Sequence, residues 1–322
     1  MLSVDQLIVK IKSGEKSWLA VDGFSFHVDP QETVCITGES GAGKTMSVLS
    51  ILGLLPHNAA IVQGELSFNG CNLRSLSANS QRDLLGKEIG VVFQEPGTSL
   101  NPVMKIGDQI SESLRRKEKL SKKEAVQFSM ALLEKVGIRN PAQVMKQFPF
   151  QLSGGMQQRI LLAMAISRKP KLLIADEPTT ALDATTQAQI VELIQHLKQD
   201  FGLTVLWITH DLTLASRIAD RTVIMYAGKT MESAPTEKIL SDPYHPYTLG
   251  LLHSMPQYAL ENHCPLQPIK GTMKETGNGN QCVFYNRCPT ARSYCKVAQP
   301  PLRQIANQHS AACWLHKNRI TV

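Results

Sequence analysis

Thr33-Val34-Cys35-Ile36-Thr37-Gly38-Glu39-Ser40-Gly41-Ala42-Gly43-Lys44-Thr45 decides the fold of this chain, because an apolar strand runs directly into a complete G-x-x-x-x-G-K-T/S loop. Met46 to Leu54 follows as an apolar helix. In that order of strand, loop and helix, Gly38, Glu39, Ser40, Gly41, Ala42 and Gly43 present backbone N–H groups to a β-phosphate. Lys44 is placed to neutralise β and γ oxygens, and the Thr45 hydroxyl to ligate Mg²⁺. With both flanks correct, a chance match is the weaker reading.

Downstream, Gln151-Leu152-Ser153-Gly154-Gly155-Met156-Gln157-Gln158-Arg159 reads as a loop that opens a helix continuing through Ile160 to Ile166. Ser153, Gly154 and Gly155 offer free N–H groups of the kind that attract an anion; taken alone, the same residues read as a structural turn. Leu172-Leu173-Ile174-Ala175-Asp176-Glu177 is a short apolar run ending in two acids. It predicts a central parallel strand that delivers carboxylates to its C-terminal edge, where α/β sheets bind ligands. Neighbouring residues at a strand end diverge, so one acid can hold Mg²⁺ while the other faces a water.

Two further strands end in polar groups. Ile89 to Phe93 ends in Gln94, whose carbonyl oxygen can reach Mg²⁺ or an attacking water. Thr204 to Thr209 ends in His210, whose imidazole can reach a γ-phosphate or that water. Read singly, each is an ordinary strand end.

The chain has 322 residues and a formal net charge of +7, enough length for one large domain and a smaller one. No apolar run approaches the roughly 18 residues of a membrane span. The start Met1-Leu2-Ser3-Val4-Asp5 lacks the basic and apolar regions of a secretion signal, which predicts a cytoplasmic protein. The densest basic patch, Arg115, Arg116, Lys117, Lys119, Lys122 and Lys123, carries no interleaved aromatics and reads as a solvated helix face, so no nucleic acid is expected.

Alternation over residues 3–10 and 18–28, with a hairpin arm at 64–70, predicts an N-terminal antiparallel sheet. Ser111 to Leu120 and Lys123 to Val136 read as helices of an insert about 95–165, closed near Pro149. Gln187 to Gln199 is a further helix, and Thr222 to Ala227 with Thr230 to Ala234 a hairpin. The run Pro243-Tyr244-His245-Pro246-Tyr247 marks a boundary, giving domains 1–245 and 246–322. The fold expected is an α/β P-loop NTPase core with an antiparallel β subdomain, a helical insert and a small Cys-rich extension.

The phosphate loop, Gln94, Leu152-Ser153-Gly154-Gly155, Leu172 to Glu177, Ala181-Leu182-Asp183 and His210 occur in the order of ABC transporter ATPase subunits, a family that residues 1–245 closely resemble. Gly38-Glu39-Ser40-Gly41, Gln94-Glu95-Pro96-Gly97-Thr98-Ser99-Leu100-Asn101-Pro102 and His245-Pro246-Tyr247-Thr248 look like the oligopeptide, dipeptide and nickel importers. The resemblance implies an ATPase that powers import of peptides, or alternatively of nickel or a metallophore complex.

By the same resemblance two ATPase subunits pair head to tail, each ATP lying between one chain's phosphate loop and the other's Ser-Gly-Gly segment. Lys44 and Thr45 then hold phosphate and Mg²⁺, with Gln94 and Asp176 in the metal shell. Glu177 is the general base, and His210 positions water and γ-phosphate. Ser153, Gly154 and Gly155 cap the partner's nucleotide, and Asp183 lines the seam. The implied partners are a second, related ATPase, two membrane-spanning permease subunits and an extracytoplasmic solute-binding protein, with this chain on the cytoplasmic face of the cell membrane. Family members stack an aromatic on adenine near the first strand, where this chain has Ile11; Trp18 reads as a core residue, with adenine stacking as its alternative.

Seven cysteines without a signal peptide argue for thiols or metal ligands over disulfides. Cys282-x5-Cys288-Pro289-x5-Cys295-x17-Cys313 matches neither a zinc ribbon nor the tight ferredoxin run, and residue types alone leave metal and no metal open. The run also looks like the C-terminal extension of the peptide importers, which implies that these four cysteines hold a 4Fe-4S cluster. Cys264 falls outside the pattern, and His309 is a rival ligand or a surface histidine. A soluble, non-transport ABC ATPase is the alternative of another class, but no sustained heptads separate Lys44 from Gln151 as its coiled-coil insert would require.

Overall fold

The computed structural model describes residues 1–118, 120–180, 182–261, 263–273 and 280–316. It divides into two compact units, Met1–Ala78 with Trp207–Val322, and Asn79–Leu206. Among the described residues no helix is long and apolar enough to cross a membrane.

In the first unit, strand β1 (Leu2–Ser13) pairs antiparallel with β2 (Lys16–Val28) on one side. Its buried residues change parity midway: Leu2 and Val4 face the core, then Leu7 and Val9. A bulge between Val4 and Leu7, with Gln6 at φ 47°, absorbs the extra residue that keeps all four inward. The far end of the β1–β2 hairpin runs past the core. Trp18, opposite Ile11, is therefore 50% exposed, and the expectation of a core tryptophan is wrong.

The buried strand β3 (Thr33–Thr37) leads through the phosphate loop into helix α1 (Lys44–Leu52). Strands β4 (Ala59–Phe68) and β5 (Cys71–Asn72) complete a sheet of order β2-β1-β4-β5, as the alternation predicts. Phe24 and Phe68 are fully buried, each contributing about 2 kcal/mol.

The second unit takes up the chain along helix α2 (Ala78–Glu88) and strand β6 (Ile89–Val92). A helical array follows: α3 (Pro96–Ser99), α4 (Ile106–Glu118), α5 (Lys122–Lys135), α6 (Pro141–Val144) and α7 (Gly154–Ile166). The two helices expected in the insert are α4 and α5. Ser121 and Glu124 form a capping box at the start of α5, and the Ser111 and Ser129 hydroxyls meet at 3.3 Å in the α4–α5 contact. Arg115, Lys122 and Lys123 are exposed, as a solvated face requires; Lys119 lies outside the described residues. Strand β7 (Leu172–Asp176) is wholly buried and runs parallel to β6, followed by helix α8 (Ala184–Phe201).

The chain then passes along β8 (Thr204–Thr209) to helix α9 (Leu212–Ile218). Back in the first unit, β9 (Arg221–Tyr226) lies parallel to β3 and forms the expected hairpin with β10 (Lys229–Pro235). Helices α10 (Thr236–Ser241), α11 (Pro246–His253) and α12 (Pro256–Glu261) lead to the ribbon β11 (Arg303–Ala306) and β12 (His309–Ala311), which adds to the edge of β10. Glu232 on β10 fastens this region. Its buried carboxylate accepts from Tyr244 N–H at 2.6 Å and His245 N–H at 3.0 Å, and lies 2.6 Å from His309 Nε2. His309, 2% exposed, is thus neither a surface histidine nor turned toward the cysteines, because burying Glu232 requires a partner.

Candidate functional site

The phosphate loop is shaped by its glycines. Gly43 sits at φ 106° as the N-cap of α1, where a β-carbon would run into the Ala20 carbonyl and the Met225 methyl. No side chain caps the helix, which leaves first-turn N–H groups for an anion. Lys44, 5% exposed, folds over the loop and donates to Gly38 O at 2.7 Å and Glu39 O at 3.1 Å. Ser40, Gly41 and Thr45 are exposed, and Ala42 is buried. An uncapped helix start, an ammonium over the loop and an exposed threonine hydroxyl fit a Mg²⁺-bound triphosphate.

Glu39 is gripped on all sides. Its N–H donates to Tyr247 Oη at 3.0 Å, and its carboxylate receives both arms of the Arg287 guanidinium at 2.7 and 2.9 Å. The loop motif by itself gives Glu39 only a backbone role. The contacts of Arg287 and Tyr247 with the loop escape a motif search because these residues lie more than 200 positions from it in sequence. The hints are that Tyr247 belongs to the run His245-Pro246-Tyr247-Thr248 and that Arg287 adjoins Cys288-Pro289.

In the second unit, Asp176 ends β7 at 3% exposure, and Glu177 follows it at φ 47°. A glutamate in this left-handed region stores about 1–3 kcal/mol, which the surrounding structure must offset. Thr180 Oγ1 donates to Glu177 Oε2 at 3.0 Å. Gln94 follows β6 and is exposed.

Ser153 caps α7, its Oγ accepting from Met156 N–H at 3.4 Å, and Gly154 lies beside the Leu182 side chain. Asp183 caps α8: Oδ1 accepts from Thr186 N–H at 3.0 Å and Oδ2 from Thr186 Oγ1 at 2.7 Å. These bonds hold the Asp183 carboxyl below the usual carboxylate range, the Thr186 N–H contributing most. Thr186 also packs against Gly155, so the signature turn and Asp183 meet through a residue that no motif includes. Ala181 lies outside the described residues. In the first unit His210 is exposed at the end of β8, and Asp211 caps the helix after it.

Cys282, Cys288, Cys295 and Cys313 line one cavity together with His245 and Trp314. Cys282 N–H donates to Cys295 O at 2.8 Å, which brings two of the thiol-bearing turns together. None of the four is in a disulfide, and Cys264 is not part of the lining. Burial pushes the Cys282 thiol up to about 11 and the Cys313 thiol up to about 12, and the neighbouring cysteines add to the rise. A cationic group in the cavity would reverse that preference. Among the described residues no three His, Cys, Asp or Glu side chains are grouped to hold a metal ion.

Residues 21–180 match the ABC transporter family, and residues 231–295 match the C-terminal region of oligopeptide/dipeptide transporters. The chain is 44% identical to the oligopeptide transport ATP-binding protein AppD of Bacillus subtilis, over 92% of this chain and 91% of that protein. The chain belongs to the ABC transporter ATP-binding subunits of the oligopeptide/dipeptide/nickel importer subfamily. It is 40% identical to the dipeptide transport ATP-binding protein DppD of Escherichia coli, over 97% of this chain and 96% of that one. Among solved structures it is similar to the ATP-binding cassette MJ0796, a dimer in a post-hydrolysis state bound to ADP and Pi. That match has a TM-score of 0.66 and 26% identity, over 73% of this chain and 99% of that one. As a member of this family, the ABC ATPase subunit hydrolyses ATP.

Proposed function

We propose that this ABC ATPase powers import of peptides through a membrane transporter. The observation that carries this reading is the pairing of a complete phosphate loop with a C-terminal region matching the oligopeptide/dipeptide class over residues 231–295. The division of labour would be an ATPase domain over 1–245, with its helical subdomain about 95–165, and an extension over 246–322. The partners would be a related ATPase, two permease subunits and an extracytoplasmic solute-binding protein, with the chain peripheral on the cytoplasmic face of the membrane.

The site residues then take these roles. Gly38 to Gly43 wrap the phosphates, Lys44 neutralises β and γ oxygens, and Thr45, Gln94 and Asp176 serve the Mg²⁺ shell, which supplies charge stabilisation to the departing phosphate. Glu177 takes the proton of the attacking water, aided by the turn that separates it from Asp176. His210 orients that water against the γ-phosphate. Ser153, Gly154 and Gly155 close over the nucleotide of the paired ATPase, and Asp183 lines the seam. Hydrolysis at a γ-phosphate needs neutralised charge and an aligned water more than a covalent nucleophile.

Cys282, Cys288, Cys295 and Cys313 are assigned to a 4Fe-4S cluster, which would cross-link a small core. A single tetrahedral ion would draw four thiolates to roughly 3.8 Å from one another. All four cysteines line one cavity, which supports a shared inorganic core.

Replacement of Glu177 by Gln tests the mechanism: the variant should pair in an ATP-dependent manner while turnover is abolished. Hydrolysis at the wild-type rate would remove Glu177 as the base.

A further inference from the structure

Glu39 has three backbone or side-chain groups, and each is held by a different residue. The carbonyl accepts from Lys44 Nζ at 3.1 Å, the N–H donates to Tyr247 Oη at 3.0 Å, and the carboxylate lies in the fork of Arg287. Arg287 is itself immobilised. Its Nε donates to Lys270 O at 2.9 Å, one arm also reaches Tyr226 Oη at 3.2 Å, and its side chain is only 4% exposed. The rings of Tyr226, Tyr247 and Phe284 pack edge-on or tilted, with centroids 4.7 to 5.3 Å apart. The guanidinium is thus held at a fixed place beneath the loop.

A side chain placed in this way grips the Glu39 carboxylate and so bears on where the Glu39 carbonyl stands and where Lys44 rests. The geometry points to Arg287 as a positioning residue of the phosphate loop, by which the C-terminal extension pre-orders the grip on ATP. A loop that must be ordered when ATP binds has an apparent Kd raised by the fraction of time it is misplaced. The bidentate, charge-assisted pair keeps that fraction low, and a point charge such as lysine cannot reproduce the fork. The same arrangement explains why a glutamate stands at the second position of the loop, where the motif alone accepts any residue.

The inference rests on the loop binding ATP, and two separate measurements keep the claims apart. ATP binding to the full chain is measured by calorimetry, and steady-state hydrolysis is followed in the complex with its membrane partners. Lys44→Ala tests the loop: if wild type and this variant bind ATP alike, the nucleotide-site reading fails. Arg287→Ala should raise the Kd and KM for ATP about tenfold while kcat changes less than about twofold. Glu39→Gln, which leaves every side chain of the extension intact, should weaken binding similarly, and the double variant should be no weaker than either single one. Arg287→Lys should fall between wild type and Arg287→Ala. Unchanged ATP affinity in Glu39→Gln and Arg287→Lys, or strictly additive losses in the double variant, would overturn the proposal even if Arg287→Ala fails to fold.

Discussion

A β-carbon on Gly155 would stand 2.6 Å from Thr186 Cγ2, and Thr186 cannot turn aside without releasing the hydroxyl it donates to Asp183 at 2.7 Å. The glycine at the start of α7 is therefore required by packing as well as by any ligand. Gly155→Ala should lower stability by about 1–3 kcal/mol. Thr186→Ser removes Cγ2 and keeps the hydroxyl, so the double variant should recover most of the loss. Urea unfolding midpoints of the four proteins measure this, and absence of recovery would place the clash elsewhere.

Asp183 stabilises the start of α8 through both carboxylate oxygens. Asp183→Ala should lower the urea unfolding midpoint, whereas Asp183→Asn retains an acceptor and should lower it less. Because the folded-state pKa lies below the ordinary value near 3.8, the contribution of ionisation is present above that value and is lost as pH falls through the folded pKa. Wild type should thus lose its advantage over Asp183→Asn below about pH 4, as acid unfolding of the two proteins would reveal.

Glu232 is the acceptor for three groups, two of them buried, that belong to the approach to α11 and to β12. Glu232→Ala leaves them without that acceptor, and a loss of about 3 kcal/mol or more is expected. Limited proteolysis should then release the C-terminal ribbon well before the rest of the chain. A cleavage pattern like that of wild type would show that the ribbon is held by other contacts.

Anaerobic preparation should give a brown protein with about four irons per chain. Cys295→Ser should bleach it. A colourless wild-type protein containing zinc, or no metal, would refute the cluster assignment.

Local sequence was sufficient wherever a function depends on one short segment. β3 with its loop, β7 leading to Asp176 and Glu177, the longer helices α4, α5 and α7 and the β9–β10 hairpin are legible, because strand apolarity, glycine and capping chemistry act between near neighbours; the short α3 and α6 are not. Trp18 and His309 were misread for a related reason. Burial depends on how far a hairpin outruns the core, and on whether a carboxylate such as Glu232 needs a partner, neither of which is written in adjacent residues.

By itself, then, the sequence determined the phosphate loop, the paired acids, the signature turn and the family to which they belong, since each is a property of a few consecutive residues. Only the tertiary structure decided that Arg287 and Tyr247 clasp Glu39 and that Thr186 joins Gly155 to Asp183. Those contacts join positions far apart along the chain or lie outside any motif. They exist only once burial has excluded water and left each polar group to find its partner within the protein.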